Sequence, residues 1–167
     1  LNTPGDIAQS PEGYDAFIKE LNRISMEEMG IPCLYGLDHI HGTTYVVGGI
    51  LFPQEINIAA TFNREHAYNM GKVTAYESRA ANVPWTFSPT MDLGRNPEWP
   101  RMWESFGEDT YVNAEMAVAE VHGMQGDDPK YWSTATVMKH FLANSNEDGR
   151  TRTSSDFDEA LFRDYYS

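Results

Sequence analysis

The sequence predicts an α/β fold with parallel strands and helical crossovers, about half of a (β/α)8 TIM-type barrel. Three observations predict it. Helical and strand-like segments alternate along the chain, as a parallel sheet with helical connections requires. Polar residues able to do chemistry follow most of the strand candidates, and strand carboxyl ends are where such barrels carry their active sites. Only three or four strand candidates occur in 167 residues, whereas a closed barrel needs eight strands and roughly 250 residues.

Taken in order, residues 1–10 read as an irregular lead-in. From Pro11 to Gly30, the apolar residues Tyr14, Phe17, Ile18, Leu21 and Ile24 recur at three- and four-residue spacing. That spacing predicts an amphipathic helix, with Gly30 as its stop. Ile31–Leu37 is a short apolar run that reads as a buried strand ending at Asp38-His39-Ile40-His41-Gly42. A glycine-bearing loop follows, and Asn57–Phe62 reads as a second, short strand. Asn63 is a good N-cap for a helix over about Arg64–Asn82. Trp85–Pro89 is the next strand. Tyr111–Gln125 reads as a helix, Thr134–Met138 as a β-branched strand ending at Lys139-His140-Phe141, and Asp156–Tyr166 as a last helix capped by Ser154 or Ser155.

Composition narrows the function classes. A formal net charge of −13 argues against nucleic acid and anionic membranes as partners. No run reaches the apolar length of a transmembrane helix, and no basic-plus-apolar segment opens the chain. The one cysteine, Cys33, sits in the apolar run IPCLYGL and is expected to be a buried, inert thiol. Leu1 is not an initiator Met, and the last helix stops without a Gly or Pro signal, so the expectation is a fragment.

The densest chemistry lies in Met91–Asp109, MDLGRNPEWPRMWESFGED. Gly94, Pro97 and Pro100 break any long regular element, while Trp99, Trp103 and Phe106 alternate with charge. Such a loop after a buried strand is either a ligand site or a structure pinned by its two Trp rings and an Arg–Glu network. Lys139 and His140 place two donors at another strand end. Donors beside carboxylates suit a neutral polyhydroxylated ligand, since each hydroxyl needs both kinds of partner, and Trp99 and Trp103 offer ring faces for it. A rival reading takes His39 and His41, alternate residues at a strand end, as metal ligands of a barrel hydrolase.

The segments YGLDHIHG, FPQEINIAATFN, ESRAANVPWTFSPTMDLGRNPEWPRMWESFGED, GMQG and KHFLANSN together resemble glycoside hydrolase family 3. Their order and spacing resemble the family's amino-terminal barrel domain almost throughout the chain, in its β-glucosidase and exo-glucanase branch. The resemblance implies that Asp38, in the G-x-D-x-x-H-G motif, accepts hydrogen bonds from hydroxyls of the terminal, non-reducing sugar. Arg101 would donate to the same sugar, and Lys139 and His140 would complete the lining. Asp rather than Glu at position 38 resembles the glucose-preferring pattern. The K-H-F-P-G-x-G loop of the N-acetylglucosaminidase branch is missing, and Pro100 stands where the family usually has Gly.

A retaining glycosidase uses two carboxyl groups about 5–5.5 Å apart, one nucleophile and one acid/base. The resemblance implies that both lie outside these residues, so catalytic residues are none here and residues 1–167 form part of the barrel domain, without its remainder or the second domain. Ser155-Asp156-Phe157 is similar to the nucleophile's S-D-W motif, but polar residues precede it and a helix follows, so Asp156 reads as a helix-start carboxylate. The implied activity is hydrolysis of terminal non-reducing β-D-glucosyl residues with retention, on a β-glucoside or oligosaccharide substrate and without a cofactor. An alternative is a non-catalytic sugar-binding or assembly fragment completed by the missing remainder or by a second copy of the chain. Relatives that degrade polysaccharides are often periplasmic or secreted.

Overall fold

The computed structural model describes residues 10–131, 133–141, 143–145 and 159–166. Helix α1 spans Pro11–Met29, with Ser10 accepting from the Gly13 amide and Gly30 closing it at φ 73°. A short strand β1, Gly36–Leu37, follows. Helix α2 is Glu55–Ala59 and α3 is Arg64–Ala80, the latter capped by the Asn63 side chain on the Glu65 amide. Strand β2 is Trp85–Thr86. A 3-10 turn at Met102–Glu104 precedes α4, Thr110–Gln125, whose first turn is capped by Asp109 on the Val112 amide. A short α5, Glu159–Leu161, runs into a π turn, Phe162–Tyr166.

β1 and β2 pair in parallel, Gly36 opposite Trp85 and Leu37 opposite Thr86. The segment from Thr134 to Lys139 runs along the other side of β2. Parallel bridges join Trp85 to Ala135 and Thr90 to Lys139. Backbone bonds from Ala135 to Pro84 (2.9 Å), Thr86 to Ala135 (2.9 Å) and Val137 to Ser88 (3.0 Å) continue that pairing. Three parallel segments therefore stand side by side in chain order, though only two have regular strand geometry among the described residues.

Alternation along the middle segment separates two faces. Thr86, Ser88 and Thr90 are buried, and the Thr86 hydroxyl faces Met124 of α4 at 3.7 Å. Trp85 and Phe87 stand on the other face, edge to face at 4.8 Å. One core cluster joins α1 to β1 and the end of α3 through Tyr14, Ile18, Tyr35, Leu37, Ala81 and Val83. A second joins α2, α3, α4 and the long loop through Ile58, Ala67, Met70, Phe106 and Met116.

Helices α3 and α4 meet backbone to backbone. A Cβ on Gly123 would lie 2.1 Å from the Tyr68 carbonyl oxygen, and one on Gly71 would lie 2.4 Å from that of Glu120. Neither carbonyl belongs to a flexible side chain, so relief requires the helices to separate. Gly123→Ala is expected to cost about 1–3 kcal/mol of stability, measurable by urea unfolding. An unchanged midpoint would mean that the helices part freely.

Five expectations need correction. Asn57–Phe62 is not a strand: the apolar residues belong to α2, which begins at Glu55 and buries Ile58 and Ala59 on one side. Five residues are too few for a helical period to show in the sequence. The strand expected over Ile31–Leu37 shrinks to its last two residues. Ile31 and Leu34 are 59% and 60% exposed, because the segment is bonded to α1 instead. Cys33 donates its amide to the Asn22 side chain at 2.8 Å, and the Ser25 hydroxyl donates to the Ile31 carbonyl at 2.8 Å. Cys33 itself is only half-buried. The strand expected at Thr134–Met138 is a bridged segment, and β2 is shorter than Trp85–Pro89. The lead-in over residues 1–9, the Ser154 and Ser155 caps and Asp156 lie outside the described residues.

Candidate functional site

Asp38 follows β1 directly, and its backbone carbonyl accepts from the Thr44 hydroxyl at 2.9 Å. That bond folds the succeeding loop back over the strand end. The Thr43 hydroxyl and the Ile50 amide both donate to Glu77 on α3 at 2.9 Å, tying the same loop to the helix. Lys139 reaches Asp38 from the strand-like segment beyond β2, Nζ to Oδ1 at 2.5 Å, with both side chains mostly buried. A bond of this kind is charge-assisted and stronger than a neutral one.

The long loop supplies the opposite wall. Trp99 is only 2% exposed and anchors the loop, which closes on itself from the Gly94 amide to the Gly107 carbonyl at 2.9 Å. The 3-10 turn then places Glu104 three residues after Arg101. Arg101 Nε donates to Glu104 Oε1 at 2.8 Å and Nη2 donates to Oε2. This fork pushes the Arg101 pKa upward, against a smaller lowering from burial, with Asp92 and Asp38 adding to the rise. Arg101 Nη1 also lies 3.2 Å from His140 Nε2. His140 Nδ1 in turn lies 2.7 Å from Asp92 Oδ2, and the His140 amide donates to the same oxygen at 3.2 Å. Lys139 and His140 are joined by a cis peptide.

The structure thus brings Asp38, Arg101, Lys139 and His140 together at the carboxyl ends of the parallel segments. Each carboxylate there faces a cation or an imidazole: Asp38 with Lys139, Glu104 with Arg101, Asp92 with His140. Acceptors and donors alternate along one rim, a pattern suited to holding hydroxyls in fixed orientations. Trp103 is 49% exposed and leaves a ring face open; Trp99, buried, has none to offer.

The metal reading does not assemble. His39 is buried, with Nδ1 on the Ser78 hydroxyl of α3 at 2.7 Å, and burial pulls its pKa down to about 4 against a smaller rise from Asp38. His41 Nδ1 donates to the Phe52 carbonyl at 2.8 Å. Among the described residues, no three His, Cys, Asp or Glu side chains gather as metal ligands.

Sequence reasoning missed four carboxylates. Asp92 and Glu104 were visible as loop charges, but their role as partners of His140 and Arg101 depends on how the loop folds. Glu55 and Glu120 gave no signal. Glu55 sits in the first turn of α2 and Glu120 on α4, both fully buried. The Thr90 amide donates to Glu55 Oε1 at 3.4 Å; Glu55 Oε2 and both Glu120 oxygens find no donor among the described residues. Burial raises the Glu55 pKa well above the carboxylate range; the Glu120 charge raises it further, while the Thr90 amide and Lys139 act the other way. Burial pushes Glu120 up to about 8. The nearby Ser88 hydroxyl, which donates to the His39 carbonyl at 3.2 Å, lowers it only in part.

Parallel segments with a charged rim at their carboxyl ends define an α/β protein whose candidate site lies at the strand ends, where barrel enzymes carry theirs. The chain matches the model of the glycosyl hydrolase family 3 N terminal domain over residues 5–166 and belongs to that family. It is 38% identical over 143 residues to the lysosomal beta glucosidase of Dictyostelium discoideum, covering 81% of this chain and 17% of that protein. The exo-1,3/1,4-beta-glucanase of a Pseudoalteromonas species, solved as a mutant, superposes with a TM-score of 0.87 at 28% identity. That match covers 99% of this chain and 28% of the other. A mutant beta-glucosidase from Listeria innocua in complex with laminaribiose gives 0.79 at 28% identity, over 95% of this chain and 22% of that one. The chain therefore spans less than a third of the length of each of these relatives.

Proposed function

We propose that this chain is the amino-terminal part of the (β/α)8 barrel of a β-glucosidase-like enzyme, and that it carries the sugar-binding half of the subsite for a terminal glucosyl residue. The observation that carries the reading is the convergence of Asp38, Lys139, Arg101 and His140 on one rim. Asp38 accepts from sugar hydroxyls, Lys139 and Arg101 donate to them, and His140 completes the lining. Three parallel segments neighbouring one another in chain order support the barrel. The lengths of the matched relatives support a longer parent protein.

In this reading the parent hydrolyses terminal non-reducing β-D-glucosyl residues with retention, through a nucleophile and an acid/base that lie outside these 167 residues. Every carboxylate of the rim is already engaged by a donor, which supports binding over nucleophilic attack. The isolated chain is expected to show no turnover of a chromogenic β-glucoside, checked with its intact mass confirmed in the same sample. Turnover that Asp38→Ala abolishes would place the reacting groups within this chain and overturn the division of labour. Glucose binding by the chain, followed by calorimetry or by NMR shifts of the rim residues, tests the reading itself.

A further inference from the structure

Arginine is a donor at every nitrogen and accepts nothing. With Arg101 Nη1 at 3.2 Å, His140 Nε2 must therefore be the bare, accepting nitrogen of its ring. The ring proton then sits on Nδ1, where Asp92 Oδ2 waits at 2.7 Å. A doubly protonated ring would set N–H against N–H toward Arg101. The same Asp92 oxygen also takes the His140 backbone amide at 3.2 Å, so one carboxylate orients both the ring and the chain that carries it. Asp92 is almost fully buried, its side chain 1% exposed, and its own backbone carbonyl accepts from Asn113 of α4 at 3.2 Å. Asn144 Nδ2 lies 3.3 Å from the same Nδ1; two donors cannot bond, so an Nδ1–H there requires the Asn144 amide to turn its oxygen to the ring.

We propose that Asp92 is a positioning residue that fixes His140 as the Nδ1–H tautomer, so that Nε2 can only accept. Two results follow, the second resting on the sugar-binding reading above. His140 and Glu104 together determine the orientation of the Arg101 guanidinium, one as acceptor at Nη1 and the other at Nε and Nη2. Nε2 has a single lone pair, so a sugar hydroxyl meeting it must displace the Arg101 Nη1 bond and donate in its place, which frees Nη1 to donate to the sugar; the rim therefore recognises a hydroxyl by the direction of its hydrogen as well as by its place. Asp92 acts on the ligand only through its neighbours.

The test begins with imidazole 15N NMR of the unaltered chain at neutral pH. A protonated Nδ1 and a bare Nε2 on His140 are expected; a protonated Nε2 overturns the proposal without reference to any sugar. Arg101→Ala removes the donor at Nε2 but leaves Asp92 in place, and should keep the Nδ1–H signature. Asp92→Ala should lose it and mix the two tautomers. Retention of a pure Nδ1–H form in folded Asp92→Ala would assign the tautomer to another group and remove Asp92 from the role. Should Asp92→Ala not fold, Asp92→Asn is read instead: its side-chain oxygen can still accept from Nδ1, and a ring that turns to Nε2–H there counts against the proposal. Glucose affinity of Asp92→Ala should fall about tenfold or more, the scale of one charged hydrogen bond. If the tautomer is as stated and neither Asp38→Ala nor Arg101→Ala changes glucose binding, the sugar-binding reading fails and the tautomer assignment stands.

Discussion

Asp38→Ala is expected to abolish measurable glucose binding. The substitution removes the acceptor at the end of β1 and, in the same stroke, leaves the Lys139 ammonium without the carboxylate 2.5 Å away. Lys139 is mostly buried, so its charge would have to draw in water or swing outward, and either response spoils its aim at a hydroxyl. Hydrogen bonds involving a charged group contribute roughly 1.5–3 kcal/mol each; losing one directly and misplacing a second weakens binding by about a hundredfold or more. Arg101→Ala removes one such donor and should weaken binding by about 1.5–3 kcal/mol. Titration calorimetry on both variants, with far-UV dichroism to confirm the fold, reads the result. Equal affinity in Asp38→Ala and the unaltered chain would take the rim out of sugar recognition.

The other large effect concerns Glu120 and has a definite sign. Its pKa is about 8 in the folded chain against about 4.3 for an unperturbed glutamate. The folded state therefore holds a proton that the unfolded state releases, and the unfolded state gains as pH rises between those values. Below about pH 4 both states are protonated and the group is neutral in its effect. From there to about pH 8 it costs the folded chain stability, and above pH 8 the cost levels off. Each pKa unit corresponds to about 1.4 kcal/mol, so the full span is on the order of several kcal/mol. Glu120→Gln removes the titrating group, keeps the shape, and brings an amide donor to the side of Glu55, whose Oε2 has no donor among the described residues. The variant is expected to match the parent near pH 4.5 and to exceed it clearly at pH 8 in urea unfolding. A difference that does not grow with pH would mean that the carboxyl is solvated or paired in the folded chain.

The legibility of this fold follows the range of the interactions involved. Gly30, Asn63 and Asp109 act within three or four residues of themselves, and the first two could be read directly as a stop and a cap. The long loop was legible as irregular, since Pro97, Pro100 and Gly94 act on their own backbone. The four rim residues were recognised because they lie in motifs that resemble a family, not because spacing dictated that they meet. Asp38 and Lys139 are separated by 101 positions, and nothing local announces such a contact. The misreadings were of the same origin. Ile31 and Leu34 look like sheet residues in isolation, but the side chains of Asn22 and Ser25 had already taken their segment's backbone groups. Glu120 offers the converse: a carboxylate on a helix reads as surface, and only the packing of α4 against α2 and α3 puts it inside.

The meeting of α3 and α4 constrains how the sequence can drift. At this one crossing Gly71 faces the Glu120 carbonyl and the Met124 amide, and Gly123 faces the Tyr68 carbonyl and the Lys72 amide. Each glycine thus opposes main chain, which every amino acid shares, and neither opposes the other. Enlarging one cannot be offset by trimming the residue across from it, as it can where side chain meets side chain. Both substitutions push the same two helices apart, so the penalties should be less than additive in the double substitution, and a library randomised at both sites and selected for folding should return glycine at each.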